Sequence, residues 1–314
     1  MAYSSYLLIV VGFVLLMMGA NWLVNGASGL AKRFHVPDLV IGLTIVAFGT
    51  SAPELVVNLV AACTGSSEIA LTNILGSNII NILVILGVAG AICPIASQAS
   101  SRRFDIPLSA WAGFAVLMLA LITPEGGGVN RLGGVFLLVF FGLFMWVMIR
   151  KAIKGDGVDE DEEFKAMKAW KAILMVIIGL VALVLGGDLI VDSAKTIATA
   201  WGVSEYVIGL TIVALGTSLP ELATSAVAAF KGNSDLAIGN VIGSNIFNVF
   251  FVLGISSVIS PLPAYEGLVI DALMAGGSSL LLLGFVSTNK EHKLMRWQAI
   301  VFLLIYAVYL YTRL

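Results

Sequence analysis

Two glutamates stand in apolar stretches of this chain, where a charge is costly. Glu54 lies in GTSAPEL, residues 49–55, and Glu221 in GTSLPEL, residues 216–222. A charge at the centre of a bilayer costs about 2.5–3.5 kcal/mol on insertion scales, so an acid there has either a partner or a function. No Lys, Arg or His lies in the surrounding apolar segments away from their ends, which leaves protons or bound cations to neutralise the pair. Thr50 and Glu54 are four apart and share a helix face, as do Thr217 and Glu221. Pro53 and Pro220 lack an N–H and displace the carbonyls four residues back, at Gly49 and Gly216. Carbonyls freed in this way are tolerated at membrane depth only against protein or a water-filled cavity, and they are good ligands for hard cations. Asn73, Ser77 and Asn81 recur every four residues and are matched by Asn240, Ser244 and Asn248, giving two stripes of neutral oxygen ligands. Two carboxylates facing such stripes form an oxygen cage suited to Ca2+, which takes about six to eight oxygens. With no Cys or His in the cage, soft metals are disfavoured. Taken singly, each Ser, Thr or Asn reads equally well as a helix-packing contact; the whole set, present twice, reads as an ion site.

The elements that position these residues are apolar throughout. The 314 residues are 59% hydrophobic and 11% charged, with a mean hydropathy of +1.03, whereas a soluble domain carries roughly 25% charged residues. This is the composition of an integral membrane protein, all-α because its runs are long enough to span as helices rather than as alternating barrel strands. Ten transmembrane helices are expected, near 4–31, 38–62, 69–94, 105–122, 131–150, 171–199, 206–229, 236–260, 267–287 and 295–312. With the N-terminus outside, 14 of the 17 basic residues fall in inner loops; Arg131, Lys195 and Arg313 do not. The positive-inside bias therefore puts both termini outside and the central loop in the cytoplasm. The start, MAYSSYLLIV, has no basic residue before its apolar run and reads as a retained first helix. Cys63 and Cys93 should lie on opposite membrane faces, beyond disulfide reach. Trp22, Trp146, Trp170, Trp201 and Trp297 lie near segment ends, as interfacial anchors do.

Laying residues 39–90 over 206–257 at an offset of 167 gives 28 identities in 52 positions without a gap. Five spans separate equivalent points, and an odd number of crossings turns the second copy upside down. The chain thus reads as two inverted-topology repeats of five helices: a first half, 1–152, a cytoplasmic acidic linker, 153–170, and a second half, 171–314. Inverted repeats with interrupted helices are the recurring architecture of secondary transporters, with the substrate site near the midplane. Sparser matches align Asn21 and Asn25 with Asp188 and Asp192, acids that guide cations or simply rim a hydrated vestibule. The linker, KGDGVDEDEEFKAMKA at 154–169, lacks the spaced Asp and Gly pattern of a calcium loop and reads as a solvated connector. His35 and His292 lie in loops and should be exposed.

At GTSAPEL with GSNIIN, and GTSLPEL with GSNIFN, the sequence resembles the sodium/calcium exchanger family within the cation/calcium antiporter superfamily, as a member of prokaryotic size. The resemblance implies side-chain ion ligands at Thr50, Ser51, Glu54, Ser77, Asn81, Thr217, Ser218, Glu221, Ser244 and Asn248, and backbone carbonyl ligands at Ala47 and Ala214. It implies Na+ and Ca2+ as transported substrates with no cofactor, and a first and a sixth helix that slide against the remaining bundle. Potassium-dependent relatives carry Asp where this chain has Asn248, so exchange independent of K+ is expected. Proton-driven calcium exchangers carry Asn where this chain has Thr50 or Thr217, although a glutamate can always carry a proton. The leading reading is a Na+/Ca2+ antiporter, with H+-coupled exchange of a divalent cation as the alternative. An intramembrane hydrolase using the two acids is disfavoured, because cleavage needs a positioned water and a substrate groove. A channel would be marked by a current insensitive to the opposing ion gradient.

Overall fold

The structure, a computed structural model, describes residues 2–64, 67–123, 127–154, 167–202 and 214–313. Its helices are α1 (Ala2–Phe34), α2 (Asp38–Thr50), α3 (Ala52–Thr64), α4 (Ser67–Ile80, continued by a π-helical turn at Asn81–Ile85 and by Leu86–Ile92), α5 (Ser101–Ile122), α6 (Arg131–Lys154), α7 (Ala169–Ala200), α8 (Leu219–Phe230), α9 (Ser234–Ile259), α10 (Leu268–Thr288) and α11 (Arg296–Arg313). Among the described residues, seven helices are long and apolar enough to cross a membrane, and α2 with α3 makes an eighth span, bent by 48°. The expected segments fall on these helices to within a few residues. Two lie partly outside the described residues: the start of the segment at 206–229, up to 213, and most of the acidic linker, 155–166. One boundary differs by a turn. The expected segment starts at 105, and a π-helical turn at Ser101–Asp105 carries α5 further back.

Sequence periodicity also missed two short pairings. Strand β1 (Ile95–Ala96) pairs antiparallel with β2 (Lys293–Leu294), and an isolated bridge joins Val129 to Leu262. Two-residue strands are too short to show an alternating pattern. They fasten loops and leave the architecture helical.

Helices α4 and α9 form the middle of the bundle. Their most apolar windows are 78% buried, against 28% for α6 and 33% for α1 and α7. The outer helices spend their apolar residues on lipid: Leu7, Val10 and Phe13 of α1 and Ile173, Ile177 and Val181 of α7 are exposed. Toward each other, α1 and α7 present glycine. Gly12, Gly19 and Gly26 are seven apart on α1, and Gly179 and Gly186 are seven apart on α7. A methyl group on Gly19 would sit 2.8 Å from both Gly179 O and Leu183 N, and one on Gly186 would sit 2.8 Å from Gly12 O. The two backbones therefore touch, as small residues allow in membranes. A seven-residue repeat keeps such a seam in register along the helices. The two long helices form one unit.

Both helices end in a left-handed residue, exposed His35 at φ 54° and Gly202 at φ 79°, which are related by the offset of 167. His292 is also exposed, and Cys63 and Cys93 are free thiols.

Two buried acids outside the duplicated motifs have partners. Asp105, at the start of α5, meets Lys151, at the end of α6, at 2.9 Å. Asp271, at the start of α10, meets Arg313, at the end of α11, at 3.3 Å, and accepts from Tyr265 at 2.6 Å and Tyr309 at 2.8 Å. Burial, followed by the Asp271 charge, pushes the Tyr265 phenol above its ordinary range, so it remains a donor at neutral pH. Asp271→Ala leaves three buried or half-buried donors without their acceptor. The expected loss is about 1–3 kcal/mol, read as a lower melting temperature in detergent; an unchanged melting temperature would show the cluster to be ornamental.

Candidate functional site

The bend between α2 and α3 falls at Ser51, whose backbone takes φ −83° and ψ 9°. Ser218, at the matching break before α8, takes φ −92° and ψ 4°. Both lie in the sparsely populated bridge region where active-site residues are often found. Pro53 and Pro220 enforce the break, since neither can donate into the preceding turn. A new helix starts one residue beyond each serine, placing Glu54 and Glu221 in first turns. The partial positive charge of a helix N-terminus favours a carboxylate there.

The two breaks bring the acids to α4 and α9. Glu54 and Glu221 are each 1% exposed. Ser77 donates to Glu54 Oε1 at 3.5 Å, and Ser244 donates to Glu221 Oε1 at 3.4 Å. Ser51 crosses between the halves to donate to Glu221 Oε1 at 3.0 Å, and Thr50 donates to Asn240 Oδ1 at 3.0 Å. Among the described residues, neither glutamate takes part in a salt bridge. The remaining oxygens, Glu54 Oε2, Glu221 Oε2, Asn81 Oδ1 and Asn248 Oδ1, are buried without a hydrogen-bond partner. Buried acceptors are rarely left unmatched. Four of them lie on residues paired by the offset of 167, two on carboxyl groups and two on amides, and oxygens of these kinds are what hard cations take.

Of the twelve residues singled out as ion ligands, hydrogen bonds or shared turns bring Thr50, Ser51, Glu54, Ser77, Glu221 and Ser244 together. Asn81 and Asn248 stand one turn beyond the two serines on α4 and α9. The carbonyl of Ala47 accepts from Ser51 N at 3.0 Å and from Thr50 Oγ1 at 3.3 Å. At the second break, Ser218 N donates to Leu215 O at 3.2 Å, a tighter turn that bypasses Ala214. Ser218 Oγ is buried and unpartnered.

The halves also differ in access. A cavity of about 420 Å3 runs from Asp188, Asp192 and Lys195 on α7 to Pro53, Thr217 and Pro220. At the residues matching Asp188 and Asp192 in the other half, Lys231 instead donates to Asn21 and, at 2.6 Å, to Asn25. A cavity borders the breaks at one side, and a lysine bridge stands at the matching place of the other half.

Asn78 and Asn245 were not among the expected ligands. Asn78 Nδ2 donates to Asn245 O at 3.1 Å, and Asn245 Nδ2 donates to Asn78 O at 3.2 Å. Their presence in both GSN motifs was the available signal, but the i, i+4 stripes of Asn73, Ser77 and Asn81 pass them by.

Helix number, exposed apolar faces and a buried acidic cluster lined by oxygens at the meeting of two matching motifs define a multi-pass helical membrane protein with a polar site buried among its spans. The chain belongs to the sodium/calcium exchanger protein family, an antiporter family whose profile matches residues 4–150 and 171–314. It is 36% identical over 262 residues to inner membrane protein YrbG of Escherichia coli (strain K12), covering 81% of this chain and 79% of that protein. It is 31% identical over 343 residues to sodium/calcium exchanger MaX1 of Methanosarcina acetivorans, covering 98% and 97%. The solved structure of the sodium-calcium exchanger NCX_Mj, soaked with 10 mM Na+ and zero Ca2+, matches with a TM-score of 0.82 at 33% identity over 98% of each chain. The same protein soaked with 2.5 mM Na+ and 10 mM Sr2+ matches at 0.81.

Proposed function

We propose that this protein exchanges Na+ for Ca2+ across the cell membrane by alternating access, without K+. The observation that carries this reading is the pair of buried glutamates whose free oxygens are accompanied by amide and hydroxyl oxygens and, among the described residues, by no basic side chain. Glu54 and Glu221 supply the charge; Thr50, Ser51, Ser77, Asn81, Thr217, Ser218, Ser244 and Asn248 supply neutral oxygens, with the Ala47 and Ala214 carbonyls at the rim. The halves 1–152 and 171–314 are inverted repeats of five helices joined by the linker at 153–170. Hydrogen bonds that recur at an offset of 167 support that arrangement. With both termini outside, the cavity below Asp188 and Asp192 opens outward, and the Lys231 bridge to Asn21 and Asn25 closes the inner path. The touching pair α1 and α7 is the unit that slides to exchange the two. Calcium uptake into proteoliposomes loaded with Na+, with K+ or with only a proton gradient tests the coupling. Uptake driven by protons alone would identify H+ as the coupling ion.

The charge count makes a further prediction. Two ionised glutamates balance one Ca2+ or two Na+. A third Na+ held by the neutral stripes leaves the sodium-loaded carrier one charge more positive. Exchange is then electrogenic, and membrane potential contributes about 2.3 kcal/mol per net charge per 100 mV. The check is sodium-driven calcium flux at clamped potentials. Flux that depends on sodium but ignores voltage would mean two Na+ per Ca2+, or a proton on one of the glutamates.

A further inference from the structure

A carboxamide binds a cation only through its oxygen, and its two ends are nearly equal in size. Something must therefore decide which end of Asn81 and of Asn248 faces the acids. The hydrogen bonds around Asn78 and Asn245 make that choice. A backbone carbonyl can only accept, so Asn245, bonded to Asn78 O, must present its NH2 there. Its Oδ1 then faces Asn81 at 2.9 Å, where an oxygen can receive only the NH2 of Asn81. Asn81 Oδ1 is thereby turned away and left without a partner, one helical turn beyond Ser77, which touches Glu54. The other half repeats the sequence. Asn78 donates to Asn245 O, its Oδ1 accepts from Asn248 Nδ2 at 3.1 Å, and Asn248 Oδ1 is the atom left over, one turn beyond Ser244.

We infer that Asn78 and Asn245 are positioning residues that fix the polarity of the ion site, each holding the ligand amide of the opposite half so that oxygen, and not NH2, meets the cation. All four side chains are at most 2% exposed, so water does not compete for these bonds. The outer end of each relay is anchored on main chain, which cannot flip. Both relays begin at a backbone carbonyl just before a π-helical segment, Asn81–Ile85 or Phe247–Leu253, where the wider turn loosens the i→i−4 ladder.

This inference rests on the exchanger reading, and the test separates the two. Asn245→Leu frees the Asn81 amide to turn its NH2 toward the acids. Removing an outer partner of a metal ligand typically weakens affinity by about 10–100-fold, and a weakening in that range is expected for Ca2+ titrated into the purified protein. In an Asn81→Asp background the expected sign reverses. Either carboxylate oxygen serves as a ligand, and the Asn245 oxygen now opposes a second acceptor, so Asn245→Leu is neutral or improves binding. A merely structural Asn245 predicts the same loss in both backgrounds, and that outcome would overturn the positioning role. The mirror pair, Asn78→Leu with and without Asn248→Asp, repeats the test from the other half, and Asn245→Ser replaces a leucine variant that does not fold. Failure of every such variant to fold would show the contacts to be structural and would also overturn it. Calcium binding absent from the unmodified protein would instead refute the exchanger reading.

Discussion

Glu54→Gln and Glu221→Gln, made singly, are expected to abolish calcium transport while leaving a folded, monodisperse protein. Two unit charges about 4 Å apart attract by about 4 kcal/mol at an effective dielectric constant of 20, and a divalent ion doubles that. Losing one carboxylate therefore removes at least about 4 kcal/mol, or roughly a thousandfold in affinity at 1.4 kcal/mol per decade. The fold is expected to survive because, among the described residues, neither acid is held by a salt bridge, and glutamine keeps an oxygen for Ser77 at position 54 or for Ser51 and Ser244 at position 221. Radioactive calcium uptake, with size-exclusion chromatography as the folding control, reads both halves of the expectation. Calcium-driven exchange retained by both variants would sink the assignment of these acids.

Glycines of the same helical protein should respond to substitution with opposite signs. Gly19→Leu drives a side chain into Gly179 O and Leu183 N, and Gly179→Leu does the same to Gly19 O and Leu23 N, each closer than 3 Å already at the first carbon. Overpacking commonly costs about 1–3 kcal/mol, and a larger cost is expected here because the contact is backbone on both sides and cannot turn aside. The two helices must part along the whole seam. Gly142 of α6 and Gly284 of α10 have open space where a Cβ would stand. Alanine there should be neutral or stabilising by up to about 1 kcal/mol, since glycine is the poorer helix former. Melting curves in detergent for the four variants test this. Equal losses at both kinds of position would mean that the seam is not close-packed.

What the sequence made legible and what it hid have separate physical causes. Apolar runs longer than a bilayer is thick identify spans without reference to packing, and proline next to glutamate marks a break because the ring removes a donor wherever it sits. The bends at Ser51 and Ser218 were readable for that reason. Asn78 was not, because one residue of helix turns a side chain about a quarter of the way round, off the stripe of Asn73, Ser77 and Asn81 and onto a neighbouring helix. Its role depends on which atom of Asn245 it meets, a relation across 167 residues that periodicity does not carry. The difference between the two breaks was equally hidden. GTSAPEL and GTSLPEL are nearly the same string, yet Ser51 reaches Glu221 while Ser218 Oγ finds no partner. A duplicated sequence encodes the symmetric set of contacts; any one conformation uses them unequally.

The glycine seam has a consequence beyond the protein's own contacts. Helices that touch backbone to backbone move together, and the outer faces of α1 and α7 carry exposed apolar residues, as surfaces that meet lipid chains do. In the sliding proposed above for this pair, an apolar belt would be displaced relative to the hydrocarbon layer. Mismatch between belt and bilayer costs fractions of a kcal/mol per ångström, so under that proposal the balance between outward and inward states would be set in part by lipid chain length. The thickness of the host membrane would thus be a thermodynamic variable of the proposed transport cycle.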